Sequence, residues 1–457
     1  PPTIPDRAAY AKRVSSAFMT GAFLLMMSQN IMAPNLTAIA ESFNLDATSR
    51  DTVLGGWMST SFFLVGGPMS LVVGYLVDVS NRKHLFMCVL AVGSAVVFLT
   101  GAATEIWQLL VLRALLGGVI GGILPLLFSI FGDLYPPSKR STVSALVGTA
   151  SGGGVLIGQV FAGMVGSSFG WRSPYFVIAV LGAVTIVIVN VYAEEPTRGG
   201  AEDSVTDLTP DVAPPPDASR DPGNIYATKL DWVAIRNVFS IRTNQLIFAQ
   251  AFPGTIPWGV IMVFLNDYLS QDQGFTVKQA TFIVLIFGIG AAVGGLIGGI
   301  VGQKAYNRNP RNLPLMIGVC QMVAVIPLIA VINTQVDPES YGTFARVRIH
   351  TVAFLGGAFA SVTGPNLKAM LLNVNTPETR GTVFCAMYLA DSFGKGVGPY
   401  VVSQLIQYFG SRPYVFNLAM LGWVASGSLI MAIAASVRND EVAARARIRS
   451  GLAPSKS

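Results

Sequence analysis

Stretches of about 20 apolar residues recur from one end of this chain to the other, each long enough to cross a lipid bilayer as a helix. Nothing else in the sequence constrains the fold as tightly. Backbone groups in hydrocarbon must find hydrogen bonds without water, and a helix supplies them within one segment. Of 457 residues, 52% are apolar and only 12% charged, about half the charged share of a water-soluble domain. A water-soluble protein is excluded, and an all-α, multi-pass membrane protein is expected.

Twelve spans are predicted. The first six are Val14–Ala40, Asp51–Val77, His84–Ala103, Trp107–Leu134, Thr142–Val165 and Pro174–Tyr192. The second six are Thr243–Leu269, Thr276–Gly302, Leu313–Ile332, Thr351–Asn373, Thr382–Tyr408 and Tyr414–Val437. Of 30 Lys and Arg, Arg113, Lys368 and Lys395 fall inside spans away from their outer ends, and Lys278 falls at the outer end of one and is counted with the adjoining loop. Arg50, Arg172, Lys278, Arg346, Arg348 and Arg412 fall on one set of loops, and all the others lie on the side of the termini. The positive-inside rule then puts both termini in the cytoplasm. The plasma membrane and an endolysosomal membrane are both compatible with this topology. Residues 194–241 separate the halves as a Pro- and acid-rich linker, with Leu230–Ile241 expected to form an amphipathic surface helix. The expected organisation is a six-helix half over 1–193, that linker, a second half over 242–437 and a tail over 438–457.

Several function classes lack their residues. Three cysteines, Cys88, Cys320 and Cys385, sit in or beside apolar runs and suggest no disulfide framework. The two histidines, His84 and His350, are far apart, and no Cys/His cluster has metal-ligand spacing. Gly394-Lys395-Gly396 lacks the strand and hydroxyl of a phosphate-binding loop, and Gly288, Gly290 and Gly294 lie inside an apolar span. The net charge of +6 is spread out and gives no reason to expect a nucleic-acid partner. No enzyme constellation is present, and no cofactor is expected beyond the proton as a coupling ion.

The halves repeat. Gly117, Pro125, Pro137, Arg140, Thr142 and Val143 fall in register with Gly357, Pro365, Pro377, Arg380, Thr382 and Val383. Gly154, Gly158, Phe169, Gly170 and Arg172 fall in register with Gly394, Gly398, Phe409, Gly410 and Arg412. Two parallel six-helix halves are a transporter architecture.

The loop Gly74-Tyr75-Leu76-Val77-Asp78-Val79-Ser80-Asn81-Arg82-Lys83 resembles the signature loop of the major facilitator superfamily, with a degenerate echo at Gly298–Arg308. Within it the chain is similar to the Spinster-like branch, carriers of lysophospholipids and sphingoid phosphates. That likeness rests on Asn81-Arg82-Lys83, Gly170-Trp171-Arg172, the segment Asn375–Thr382 and the segment Asp391–Pro399. The resemblance implies a carrier of an amphipathic, anionic, lipid-like solute working by alternating access, by secondary active or facilitated transport. Membrane lipids and a small amphipathic substrate are its implied partners, and a monomer is expected. It also implies a cytoplasmic gate of Gly74, Asp78, Arg82, Lys83, Arg140 and Arg380, with Asp78 as a latch. Two departures stand out: Ser28-Gln29 occupy the place of an Asp-Arg pair, and Ile120 the place of a Glu, so the branch's usual proton route lacks its acids here.

Ionisable groups inside spans are expensive and mark function. Arg113 is expected to hold an anionic headgroup, or else to form a structural ion pair. Asp391 and Lys395, one turn apart, read as a proton- or substrate-linked switch or as a pair that fixes packing. Trp258 follows the helix-breaking Pro253, Gly254 and Pro257 and is a wall or plain packing. Gln29, Asn30, Asn366 and Tyr388 complete the candidate cavity. Two competing functions remain: a proton-driven multidrug or small-solute exporter, whose fifth-span signature is interrupted because Gln159 and not Pro follows Gly158, and a non-transporting receptor on a carrier fold.

Overall fold

Polar caps fix where the helices start. Asn81 Oδ1 accepts from the His84 amide at 2.9 Å, Asp46 Oδ1 from that of Ser49 at 3.1 Å, and Ser411 Oγ from that of Tyr414 at 3.4 Å. Glu105 with Gln108, and Thr276 with Gln279, form reciprocal capping boxes. The computed structural model describes residues 4–135, 137–196, 236, 238–335, 342–375 and 379–452. All elements among them are helical, and the chain divides into two units, Pro1–Ile225 and Tyr226–Ser457. The central linker from residue 197, and most of the surface helix expected at Leu230–Ile241, lie outside the described residues.

In the first unit, α1 (Ile4–Ser28) breaks into a tight turn, a 3-10 turn (Ala33–Asn35) and α2 (Leu36–Ser42), together one pass. The second pass runs from α3 (Ala47–Ser49) through a π-helical stretch (Arg50–Trp57) into α4 (Met58–Val79). Then come α5 (Arg82–Ala102), α6 (Ile106–Leu134), α7 (Pro137–Phe169) and α8 (Ser173–Tyr192). In the second unit, α9 (Arg242–Gly259), a π-helical stretch (Val260–Phe264) and α10 (Leu265–Gln271) make the seventh pass. There follow α11 (Val277–Arg308), α12 (Asn312–Val323) with α13 (Val325–Ile332), and α14 (Thr343–Ser361) with α15 (Thr363–Val374). The unit closes with α16 (Arg380–Phe409), α17 (Arg412–Ala432) and a terminal helix, α18 (Val437–Leu452).

Among the described residues, nine of these passes are long and apolar enough to cross a membrane. The first, tenth and eleventh fall short because they carry the polar groups: Ser28, Gln29, Asn30 and Asn35 in the first, Asn366 and Lys368 in the tenth, Asp391 and Lys395 in the eleventh. A helix that faces a cavity needs no apolar circumference.

Both units pack by the same scheme. The second pass packs on the fourth, the first on the fifth and sixth, and the third on the sixth, and the second unit repeats every one of these pairings. Glycines carry the closest seams, as in membrane helix pairs generally. A Cβ at Gly117 would lie 2.0 Å from the Phe62 carbonyl oxygen, and one at its repeat partner Gly357 would lie 2.0 Å from that of Phe287. Gly158 presses on Met27 and Gly398 on Ile256. The fifth and eleventh passes end alike, at Gly170 and Gly410 with φ of 86° and 66°, a left-handed conformation that glycine adopts without strain.

Beyond these glycines the repeat keeps its geometry and changes its chemistry. Arg172 stacks on Trp171 at 4.2 Å and on Phe43 at 5.8 Å, and donates to the Ala103 carbonyl at 3.1 Å. Arg412 instead pairs with Asp267 at 2.8 Å and Asp272 at 2.6 Å, with Asp267 almost wholly buried. Two acidic residues after the last pass tie down the opposite end of each unit. Glu194 pairs with Arg13 at 3.1 Å, and Glu195 accepts from Arg82 Nε at 2.9 Å. In the second unit Asp440 accepts from the Thr243 amide at 2.9 Å, and Glu441 takes the Tyr306 hydroxyl and Arg445. Glu194–Pro196 are therefore bonded to the first unit although their composition reads as linker, and the start of the expected tail is a docked helix.

Candidate functional site

Arg113 lies in α6 one turn ahead of the Gly117 seam. Its guanidinium sits 4.5 Å from the centre of the Phe62 ring on α4. Its Nε is buried without a hydrogen-bond partner, and among the described residues no carboxylate pairs with it. Tyr175 on α8 is the nearby polar group that its charge acts on. Leaving a guanidinium unpaired at this depth is costly, and stacking on one aromatic ring offsets only part of that. The arrangement suits an anion brought from outside, since guanidinium stays charged and forks onto a phosphate or carboxylate.

Gln29 ends α1 in the turn that its own amide closes onto the Met26 carbonyl at 3.1 Å. It is half-buried. The next residue, Asn30, is buried and donates to Gln159 Oε1 at 3.0 Å, leaving Gln159 Nε2 buried with no partner. Sequence reasoning treated Gln159 only as an interruption of a signature. Its signal was an amide in an otherwise apolar fifth span. Ser28 gives its hydroxyl to the Leu25 carbonyl at 2.6 Å and lines a cavity of about 10 Å³ with Ser94, Leu90 and Ile178, inside the first unit.

In the second unit Trp258 is half-buried and meets Phe287 and Trp423 edge-on, with ring centres 5.7 and 5.8 Å apart. Trp423 is fully buried and donates to the Gly254 carbonyl at 3.0 Å, beside the two prolines that interrupt α9. Asp391 and Lys395 pair at 3.9 Å, with 29% and 40% of their side chains exposed. Tyr388 stands one turn earlier on the same face of α16 and is exposed. This face is therefore a ladder of a phenol, a carboxylate and an ammonium. Asn366 stands apart from it: it is buried, and its amide donates to the Gly298 and Val362 carbonyls at 3.0 and 2.8 Å, bracing α15 on α11. A second buried chain of polar groups runs Gln250–Ser426–Gln321–Thr363, with links of 2.8, 2.9 and 2.8 Å across four passes.

The expected gate residues divide. Arg82 is 1% exposed and bonds Asp133, Glu195, Ser129 and the Pro196 carbonyl; Lys83 Nζ donates to the Asn190 carbonyl at 2.9 Å. Those partners all belong to the first unit, so Arg82 and Lys83 lock α5 to α6, to the end of α8 and to the segment after it. A Cβ at Gly74 would meet nothing within 4 Å. The side chains of Asp78, Arg140 and Arg380 lie outside the described residues.

The comparisons with known proteins agree on the class. Over 430 residues the chain is 24% identical to Multidrug resistance protein 3 of Bacillus subtilis (strain 168), covering 85% of this chain and 79% of that protein. Over 425 residues it is 21% identical to Multidrug resistance protein MdtG of Rahnella sp. (strain Y9602), covering 92% and 93%. Its fold is similar to the crystal structure of a bacterial homologue of the human lysosomal transporter Spinster, inward-facing and unoccupied, with a TM-score of 0.76 at 18% identity over 94% of this chain and 98% of that one. It is also similar to the human organic anion transporter MFSD10, with a TM-score of 0.59 at 16% identity over 92% and 99%. The model of the Major Facilitator Superfamily matches residues 18–399, and the chain is a member of that superfamily, a twelve-helix transporter and not an enzyme.

Proposed function

We propose that this transporter carries an amphipathic organic anion of lysophospholipid or sphingoid-phosphate type by alternating access. The observation that carries this reading is Arg113, a cation within a spanning helix whose Nε is buried without a hydrogen-bond partner. In this reading the headgroup docks at Arg113 and the alkyl tail lies against apolar side chains. The ladder on α16 is already neutral, because Lys395 balances Asp391, so it needs no ion from the substrate. We assign to Asp391 the uptake of the coupling proton, since Ser28 and Ile120 carry no acid. Flux of lysophosphatidate in proteoliposomes tests the reading: Arg113→Met abolishes it and Lys395→Met leaves residual flux.

One observation favours a second reading, export of cationic drugs. Asp391 is a partly exposed carboxylate one turn from Tyr388, and the curated relatives are named multidrug resistance proteins. Uptake of a cationic dye that survives Arg113→Met and fails in Asp391→Asn supports that reading against the first.

A further inference from the structure

Where the first unit seats a buried arginine, the second has an open cleft. Glu195 closes the first unit by holding Arg82, which is 1% exposed and fills its site. Glu441, the matching acid after the last pass of the second unit, takes among the described residues the Tyr306 hydroxyl and the guanidinium of Arg445 from its own helix. What remains is a cleft of about 380 Å³ lined by Tyr306, Asn307, Pro310, Arg438, Glu441, Val442 and Arg445. Arg438 has no hydrogen-bond or ion-pair partner among the described residues. Two arginines against one already engaged carboxylate leave the lining with a net positive charge. Lys304, Arg308 and Arg311, exposed on the same helix end and connection, add to the local positive potential.

We propose that this cleft binds the phosphate of an anionic membrane lipid and thereby ties α18 to the end of α11. Position and chemistry argue for a lipid over a soluble anion. The cleft lies at the basic end of Val277–Arg308, a helix long and apolar enough to cross a membrane. It combines guanidinium groups, which fork onto phosphate oxygens, with the apolar Val442 and Pro310, against which a glycerol backbone can lie. Basic groups at the end of such a helix are drawn to anionic leaflets. This site is separate from the transported solute's and stands or falls independently of Arg113.

Native mass spectrometry of the full chain in neutral detergent tests it, with titration of dioleoyl phosphatidylglycerol against dioleoyl phosphatidylcholine. The wild type holds phosphatidylglycerol about tenfold more tightly, Arg438→Gln removes that preference, and Arg447→Gln, exposed on the same helix outside the cleft lining, retains it. Equal retention of both lipids by the wild type, or equal loss in the two variants, overturns the site. Displacement of the lipid by inorganic phosphate at matched concentration overturns the lipid assignment in favour of a soluble anion.

Discussion

Gln29 and Trp258 occupy the same place in the two halves of the chain. Each follows by two residues the side that packs on a glycine of its partner helix, Met27 on Gly158 and Ile256 on Gly398. Equivalent backbone positions thus present an amide in one unit and an indole in the other, so the duplicated scaffold carries unlike chemistry. Trp258→Ala removes the ring that meets Phe287 and Trp423, and with it a surface for an alkyl tail. The expected result is a KM about tenfold higher for a long-chain substrate and unchanged for a short-chain analogue, measured as initial flux. Equal KM changes for both chain lengths would show that Trp258 serves packing alone.

Arg412 and Asp267 form the most deeply buried ion pair among the described residues of the second unit. Asp267→Asn leaves part of a buried charge uncompensated, a loss of ~3–5 kcal/mol that thermal unfolding in detergent reads directly. Joint replacement, Arg412→Met with Asp267→Leu, recovers most of it. Arg172→Ala, the same position in the first unit, loses stacking on the buried Trp171 and the half-buried Phe43 but uncovers no buried charge, and costs ~1–2 kcal/mol. Comparable losses for the Asp267 and Arg172 variants would refute the distinction.

Gly74→Ala is expected to fold like the wild type, because the added methyl meets nothing within 4 Å. Gly158→Ala is not, since its Cβ would lie 2.1 Å from the Met27 carbonyl oxygen. Any flux lost by a normally folded Gly74→Ala protein then belongs to the transport cycle. A Gly74→Ala protein that fails to fold contradicts the packing described here.

Asp46 caps α3, and the hydrogen bond from Ser49 holds its carboxyl below the usual carboxylate range. A depressed folded-state value means that the cap's contribution is present above the unfolded value and is lost as pH falls through the folded one. Exchange protection of the Ser49 amide should therefore decline below the ordinary carboxylate range in the wild type. Relative to Asp46→Asn, a protection ratio that does not change with pH would show that the carboxylate is not the cap.

Much of this was legible in the sequence because it depends on local pattern. The twelve passes follow from apolar run length, and the repeat from glycines whose close approach tolerates no side chain, such as Gly117 and Gly357. Arg113, Asp391 and Lys395 stood out as charges in apolar runs. What escaped notice depends on partners far apart in sequence. Asp267 and Asp272 carry no expectation from the sequence, and their role emerges only when the fold places Arg412 on them. Glu194 and Glu195 share the composition of the linker that follows, and only the fold shows them gripping Arg13 and Arg82. Asn366 is expected from the sequence as a cavity group, and only the fold shows that its amide donates to two backbone carbonyls.

The central claim is that Arg113 receives the substrate's anionic headgroup, and a paired measurement on Arg113→Met tests it most directly. Removing a half-buried guanidinium whose Nε is buried without a partner should raise the unfolding temperature of the empty protein, by an amount corresponding to ~1 kcal/mol. The same change should abolish lysophosphatidate flux in proteoliposomes and the thermal stabilisation that lysophosphatidate gives the wild type. A variant that is less stable than the wild type when empty, or that is still stabilised by lysophosphatidate and still transports it, would contradict the account.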